Sequence, residues 1–143
     1  MFLYLLTVIK VIKLKKLKSK LEIDFNNEIV DNRNRVKYQK RENNVLFWNR
    51  IYYNGKDKGR IKEITYFLDE SFPNPERKTM DRKNDFEIII WSWSESVIKV
   101  IITTIDGNKY TKYFNFKFEN ELNQAINDQD KNGIEFINIG DSD

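Results

Sequence analysis

The sequence predicts an all-β sandwich, and three observations carry that prediction. Apolar and polar residues alternate with a period of two in short runs between Val45 and Phe118, as half-buried strands require. Turn signals separate the runs about every 8 to 12 residues, among them Asn54-Gly55, Pro73-Asn74-Pro75 and Asp106-Gly107. The runs themselves are rich in β-branched and aromatic residues, which favour a pleated, partly buried surface.

The chain's 143 residues suit one domain with one core, able to bury roughly two-thirds of its unfolded surface. A hydrophobic content of 40% is globular rather than disordered, while 33% charged residues leave a strongly solvated surface. The chain has no cysteine, which excludes disulfides and thiolate metal sites, and no histidine, the commonest general base and metal ligand. Neither catalysis, a metal nor a cofactor is expected. The formal charge of +3 is unevenly spread. Residues 1–20 carry six lysines and no acid, whereas residues 119–143 carry seven acids and one lysine. The body between them lacks a clustered basic stripe, and no nucleic-acid-binding signature appears.

Three segments are expected: a basic N-terminal extension over 1–20, a sandwich over 21–120, and a polar, acidic C-terminal segment over 121–143. In the first, Lys10 ends an apolar run far shorter than the roughly 20 residues of a membrane span. The lysines follow the apolar run instead of preceding it, so a secretory signal is not expected. Val11, Leu14, Leu17 and Leu21, spaced three and four apart among lysines, fit a basic amphipathic helix. Such a helix suits a membrane surface or an anionic partner; the plainer alternative is an element packed on the domain.

Leu21, Ile23 and Phe25 alternate as a first edge strand, and the Asn-rich stretch to Asn44 reads as loop. Val45 to Tyr53 is a strand ending at Asn54-Gly55, with Trp48 assigned to the core. Arg60 to Leu68 is the next, with Ile64, Tyr66 and Leu68 on one face. It leads into Asp69-Glu70-Ser71-Phe72-Pro73-Asn74-Pro75, which holds both prolines of the chain. Proline fixes φ and pushes the preceding residue toward extended geometry, so this loop is stiff and presents Phe72. Arg77 to Asp85 reads as a charged connection, and Phe86 to Ile90 as a strand ending in Trp91-Ser92-Trp93-Ser94-Glu95-Ser96. Val97 to Ile105 is a mostly buried strand with Lys99 facing solvent. It closes a hairpin through Asp106-Gly107 onto Tyr110 to Phe118, where Phe114, Phe116 and Phe118 face inward. Glu121 to Gln129 is polar and helical, and Gly133 to Ile139 alternates weakly. A solvated tail is the plain reading of this acidic end.

Ile64 to Pro75, then Phe86, Trp93 and Ile98-Lys99-Val100, resemble in order and spacing the YEATS domain, especially its prokaryotic branch, over residues 45–118. The resemblance implies an immunoglobulin-like β-sandwich whose end loops form an aromatic slot, used by eukaryotic members to read acylated lysine. On that basis Phe72 and Trp93 are the aromatic walls. Ser71 is to hydrogen-bond the acyl amide, and backbone N–H groups near Trp93 and Ser94 to hold the acyl carbonyl. Acylation removes the lysine charge and leaves a flat, partly apolar amide that suits stacking between rings.

The chain departs from the family pattern in three places. Asp69 stands where the family has His, Ser92 and Ser94 replace the glycines around Trp93, and Ser96 replaces a Phe. Glycine permits φ > 0 and close backbone approach, so the serines are expected to hold the turn differently. Asp69, Glu70 and Glu95 put negative charge at the mouth, which favours a cationic peptide. The expected function is therefore a non-enzymatic recognition module, resembling acyl-lysine readers, that binds a modified-lysine or other peptide ligand in the slot between the two end loops. The alternative is an adaptor or sensor domain of a prokaryotic signalling or conflict system that makes protein–protein contacts without acyl-lysine binding. The plain reading of Phe72 is a plug for the end of the core. Abundant Lys, Asn and Ile suit an AT-rich genome, a trait shared by bacteria and some unicellular eukaryotes; a cytoplasmic location is expected for a bacterial protein and a nuclear one for a eukaryotic protein.

Overall fold

The computed structural model describes residues 20–142. The amphipathic extension expected over 1–20 therefore lies, apart from Lys20, outside the described residues. Two sheets face each other. The first contains β1 (Phe25–Glu28), β2 (Arg35–Arg41), β3 (Asn44–Tyr53), β6 (Ile88–Ser92) and β9 (Glu135–Ser142). The second runs in the order β5 (Glu76–Thr79), β4 (Ile61–Phe67), β7 (Ser96–Thr104), β8 (Lys109–Phe116), antiparallel throughout. One helix, α1 (Glu119–Asn132), joins β8 to β9. Among the described residues no helix is long and apolar enough to cross a membrane.

β3 organises the first sheet. Its residues 50–53 pair with β1 and residues 44–47 with β2, while β6 takes residues 47–51 and so lies along the opposite edge. β9 then adds in parallel to the outer side of β2.

The core fills the space between the sheets with Ile29, Val36, Ile51, Ile64, Val100, Ile102 and Phe116, all essentially inaccessible. Phe25 spans the gap. Its ring meets Tyr53 of the first sheet and Tyr66 of the second edge-on, with centroids 5.8 Å away in both cases. Edge-to-face pairs of this kind add about 0.5–1.5 kcal/mol beyond their buried area. Tyr66 also donates its hydroxyl to the Phe86 carbonyl at 2.6 Å, a hydrogen bond that crosses from β4 to the start of β6.

Several sequence expectations are corrected. β2 lies in a stretch read as loop, because Arg35-Val36-Lys37-Tyr38-Gln39-Lys40-Arg41 exposes polar side chains on its outer face and shows few apolar residues. The first strand begins at Phe25 rather than Leu21, although Leu21 is still buried. Glu76–Thr79, part of the supposed connection, pairs with β4 as a strand. Trp48 is not core: it lies on the outer face of β3, opposite Trp91 of β6, with the Lys37 ammonium 4.3 Å from its ring centroid. The parity of β3 decides this, since Asn49, Ile51 and Tyr53 take the inward positions. β7 buries only one face, leaving Val97 and Ile105 exposed. Gly55 serves a close approach and not a two-residue hairpin, since a Cβ there would collide with the Tyr53 hydroxyl. Gly107 does occupy the β7–β8 turn, with φ +89°. Phe116 and Phe118 are buried, and Phe114 packs on the core from a half-buried position. In the acidic C-terminal segment α1 is longer than the helical stretch read from Glu121 to Gln129, and β9 joins the sheet.

Removing the Tyr66 hydroxyl leaves the buried Phe86 carbonyl without this partner. Tyr66→Phe should destabilise the fold by about 1–3 kcal/mol, read as a lower urea midpoint with an unchanged slope.

Candidate functional site

β2, β4 and β6 all run toward one end of the sandwich, and the loops that follow them enclose a cavity of about 740 Å³. The β4–β5 loop contributes Asp69, Ser71, Phe72 and Pro73, and the β6–β7 turn contributes Trp91 to Ser96. All five residues singled out from the sequence, Asp69, Ser71, Phe72, Trp93 and Ser94, thus line one space. The β2–β3 hairpin forms a third wall with Arg41, Glu42, Asn44 and Leu46. Sequence reasoning missed it because β2 was read as loop, so that no turn was sought at Glu42-Asn43.

The β4–β5 loop is held by hydrogen bonds as well as by its prolines. Leu68 N–H donates to the Pro75 carbonyl at 2.8 Å, closing its base. Arg77 reaches back from β5, donating Nε–H to the Asn74 carbonyl at 2.7 Å and Nη2–H to the Pro73 carbonyl at 2.8 Å. Asn74 takes a left-handed φ of +51°, which Asn tolerates better than most residues. Asp69 forms an Asx turn in which its Oδ1 accepts the Ser71 N–H at 2.9 Å, while the Phe72 N–H donates to the Asp69 carbonyl at 3.0 Å. The Ser71 side chain adds to the lowering of the Asp69 pKa. A hydroxyl oxygen has lone pairs that accept an N–H, so Ser71, on the cavity wall, offers an acceptor to a ligand.

Phe72 does two things. It is half-buried and packs on the core, as the plain reading holds, and it also faces the cavity. Trp93 differs, being 60% exposed. Among the described residues no ring contact joins the two, and both line the cavity.

The serines around Trp93 take the place of glycine by chemistry rather than by backbone freedom. Ser92 is buried, and its hydroxyl donates to the Ser94 carbonyl at 2.7 Å while accepting the Ser94 N–H at 3.3 Å. None of Ser92, Trp93 and Ser94 has positive φ. The Ser94 N–H, expected to face a ligand carbonyl, is thus already engaged in a long hydrogen bond. Glu95 is engaged too: its Oε2 accepts the N–H groups of Phe118 at 2.7 Å and Glu119 at 3.1 Å. Phe118 is the N-cap of α1 and supplies no side-chain cap, so Glu95 caps the helix from the Trp turn. Of the acids expected to charge the mouth, Asp69 and Glu95 lie on the cavity and both carboxylates are engaged internally; Glu70 does not line it.

The loops at one end of the two-sheet sandwich thus enclose a slot. Residues 50–117 match the family model of the prokaryotic YEATS domain. No curated protein matches the chain in sequence. Among solved structures, the yeast Yaf9 YEATS domain recognising an H3K122suc peptide superposes with a TM-score of 0.51 at 14% identity, covering 71% of this chain and 80% of that one. The Yaf9 domain bound to H3K27ac gives 0.46 at 14% identity, over 68% and 77% of the two chains. A crystal structure of yeast Yaf9 gives 0.44 at 19% identity over 50% of this chain, which spans about half (53%) of that chain's length. The fold is the YEATS sandwich.

Two expectations follow. The Ser71 N–H, then its side chain, hold the Asp69 carboxyl below its ordinary value. Its contribution to the loop is therefore complete above the unfolded-state pKa and is lost as pH falls through the lower folded-state value. The Ser71 amide proton should titrate by NMR with a midpoint below that of an unperturbed aspartate. Separately, Glu95→Ala should lower stability by about 1 kcal/mol by uncapping α1, seen as faster hydrogen exchange at Phe118, Glu119 and the first helical turn.

Proposed function

We propose that the protein is a non-enzymatic recognition module that takes an acylated-lysine side chain of a peptide into the slot between Phe72 and Trp93. The observation that carries this reading is the placement of two separated aromatic rings on one cavity with the Ser71 oxygen beside them. A lysine acyl amide offers two flat, partly apolar faces to the rings and an N–H to Ser71. The match of residues 50–117 to the family model supports the same reading, since YEATS domains are reader modules rather than enzymes. In that fold, the Yaf9 domain recognises a succinylated histone peptide. The prokaryotic type of the family favours a partner in a bacterial cytoplasm, acylated on lysine, over a histone.

A second reading is favoured by one specific feature. The Ser92 hydroxyl occupies the Ser94 N–H, which removes a donor from the acyl carbonyl. In that case the same three loops dock a protein surface in an adaptor role and no acyl group enters.

Titration of acetyl-, crotonyl- and unmodified-lysine peptides, followed by Trp fluorescence, separates the two. Saturable binding of an acyl peptide is expected, weakened by about 1–3 kcal/mol in Trp93→Ala, whose exposed ring leaves stability unchanged. Phe72→Ala should lose binding similarly and also some stability, because that ring packs on the core. Flat titrations to millimolar peptide favour the adaptor.

A further inference from the structure

Among the described residues, five other than glycine have positive φ: Asn34, Glu42, Asn74, Asp85 and Phe86. Three are Asn or Asp, which adopt the left-handed region readily. Phe86 is held there by its surroundings, being fully buried, accepting the Tyr66 hydroxyl and donating its N–H to the Asp81 carbonyl at 2.9 Å. Glu42, at φ +53°, has no comparable support. It is exposed, and no hydrogen bond or ion pair holds its carboxylate among the described residues, not even to neighbouring Arg41.

Its position is the first of the two residues, Glu42-Asn43, that turn the hairpin between the paired Arg41 and Asn44. Positive φ in such turns favours Gly, Asn or Asp. A glutamate there is strained without local recompense, a state that persists where function requires the side chain. The wall it occupies gives the reason. Three carboxylates line the cavity: Asp69 is bound to Ser71, Glu95 caps α1, and Glu42 alone among them has no partner in the described residues.

We propose that Glu42 is a specificity-determining residue that pairs with a cationic side chain, Lys or Arg, next to the residue held in the slot. This rests on the reading that the slot receives a peptide side chain. The ligand is then a basic peptide segment, and the β2–β3 turn reads its flank while the aromatic walls read the inserted group. The cavity, at about 740 Å³, has room for more than one side chain.

The test pairs binding with stability. Wild type, Glu42→Gly and Glu42→Lys are titrated with one slot-filling peptide in three forms, its flanking positions being Lys, Gln or Glu. Wild type should prefer the Lys-flanked form by about 2- to 5-fold, the range of an exposed charge pair, and the preference should fade in high salt. Glu42→Gly should erase the preference and Glu42→Lys reverse it toward the Glu-flanked form. Relief of the left-handed strain should leave the melting temperature of Glu42→Gly equal to or above that of wild type. Binding that ignores flanking charge, or a lower melting temperature for Glu42→Gly, overturns the pairing and leaves the slot reading standing. Failure of wild type to bind any of the three forms overturns the slot reading, and the pairing with it.

Discussion

The hydrogen bond from the Tyr66 hydroxyl to the Phe86 carbonyl is the strut on which the functional end depends. Tyr66 is one residue from the end of β4, the strand that leads into the Phe72 loop. Phe86 stands two residues before β6, the strand that ends at the Trp93 turn. One buried hydrogen bond therefore sets the separation of the strands that carry the two aromatic walls. Burial raises the Tyr66 pKa far above that of an exposed tyrosine, so the hydroxyl keeps its proton and remains a donor across the whole range in which the protein is folded.

Much of this was legible in the sequence, for reasons that differ by element. β6 and β7 announced themselves because one face of each is buried and the period of two is clean, whereas β4, buried on both sides at Ile64, Thr65 and Tyr66, was readable from its apolar and β-branched density. The Phe72 loop was readable because both prolines fall in it. β2 was not readable, because it lies between β3 and β9 in a sheet whose outer face is solvated, and only Val36 reaches full burial. Trp48 was misplaced for a related reason. Its size and apolar ring suggested the core, whereas its position in the alternation, set by Ile51 and Tyr53, put it outside. The Lys37 ammonium lies over its ring there and Trp91 stands opposite it in register, neighbours no local pattern reveals.

The site shows how substitutions at a binding loop can preserve shape by different chemistry. Where glycine would supply φ freedom, Ser92 supplies a hydroxyl that bonds both backbone groups of Ser94. Where the family has an imidazole, Asp69 supplies an acceptor that shapes the loop and orients Ser71. Each exchange keeps a loop in place while altering what remains available to a ligand. The family resemblance named residues that line one cavity, and the allocation of donors and acceptors among them had to be read from the folded loops.

β9 lies parallel to β2 and joins residues 35–41 to residues 135–142 across about a hundred positions of sequence. Pairings so distant in the chain are entropically slow to form, because a long loop must close before the contacts reward it. On the ribosome, β2 is made early and then waits with one edge unsatisfied until nearly all of this sequence has been synthesised. An open edge is a template for association with other chains. The lysines and arginines along β2, at positions 35, 37, 40 and 41, thus act as its protection during synthesis, keeping nascent copies apart until β9 arrives.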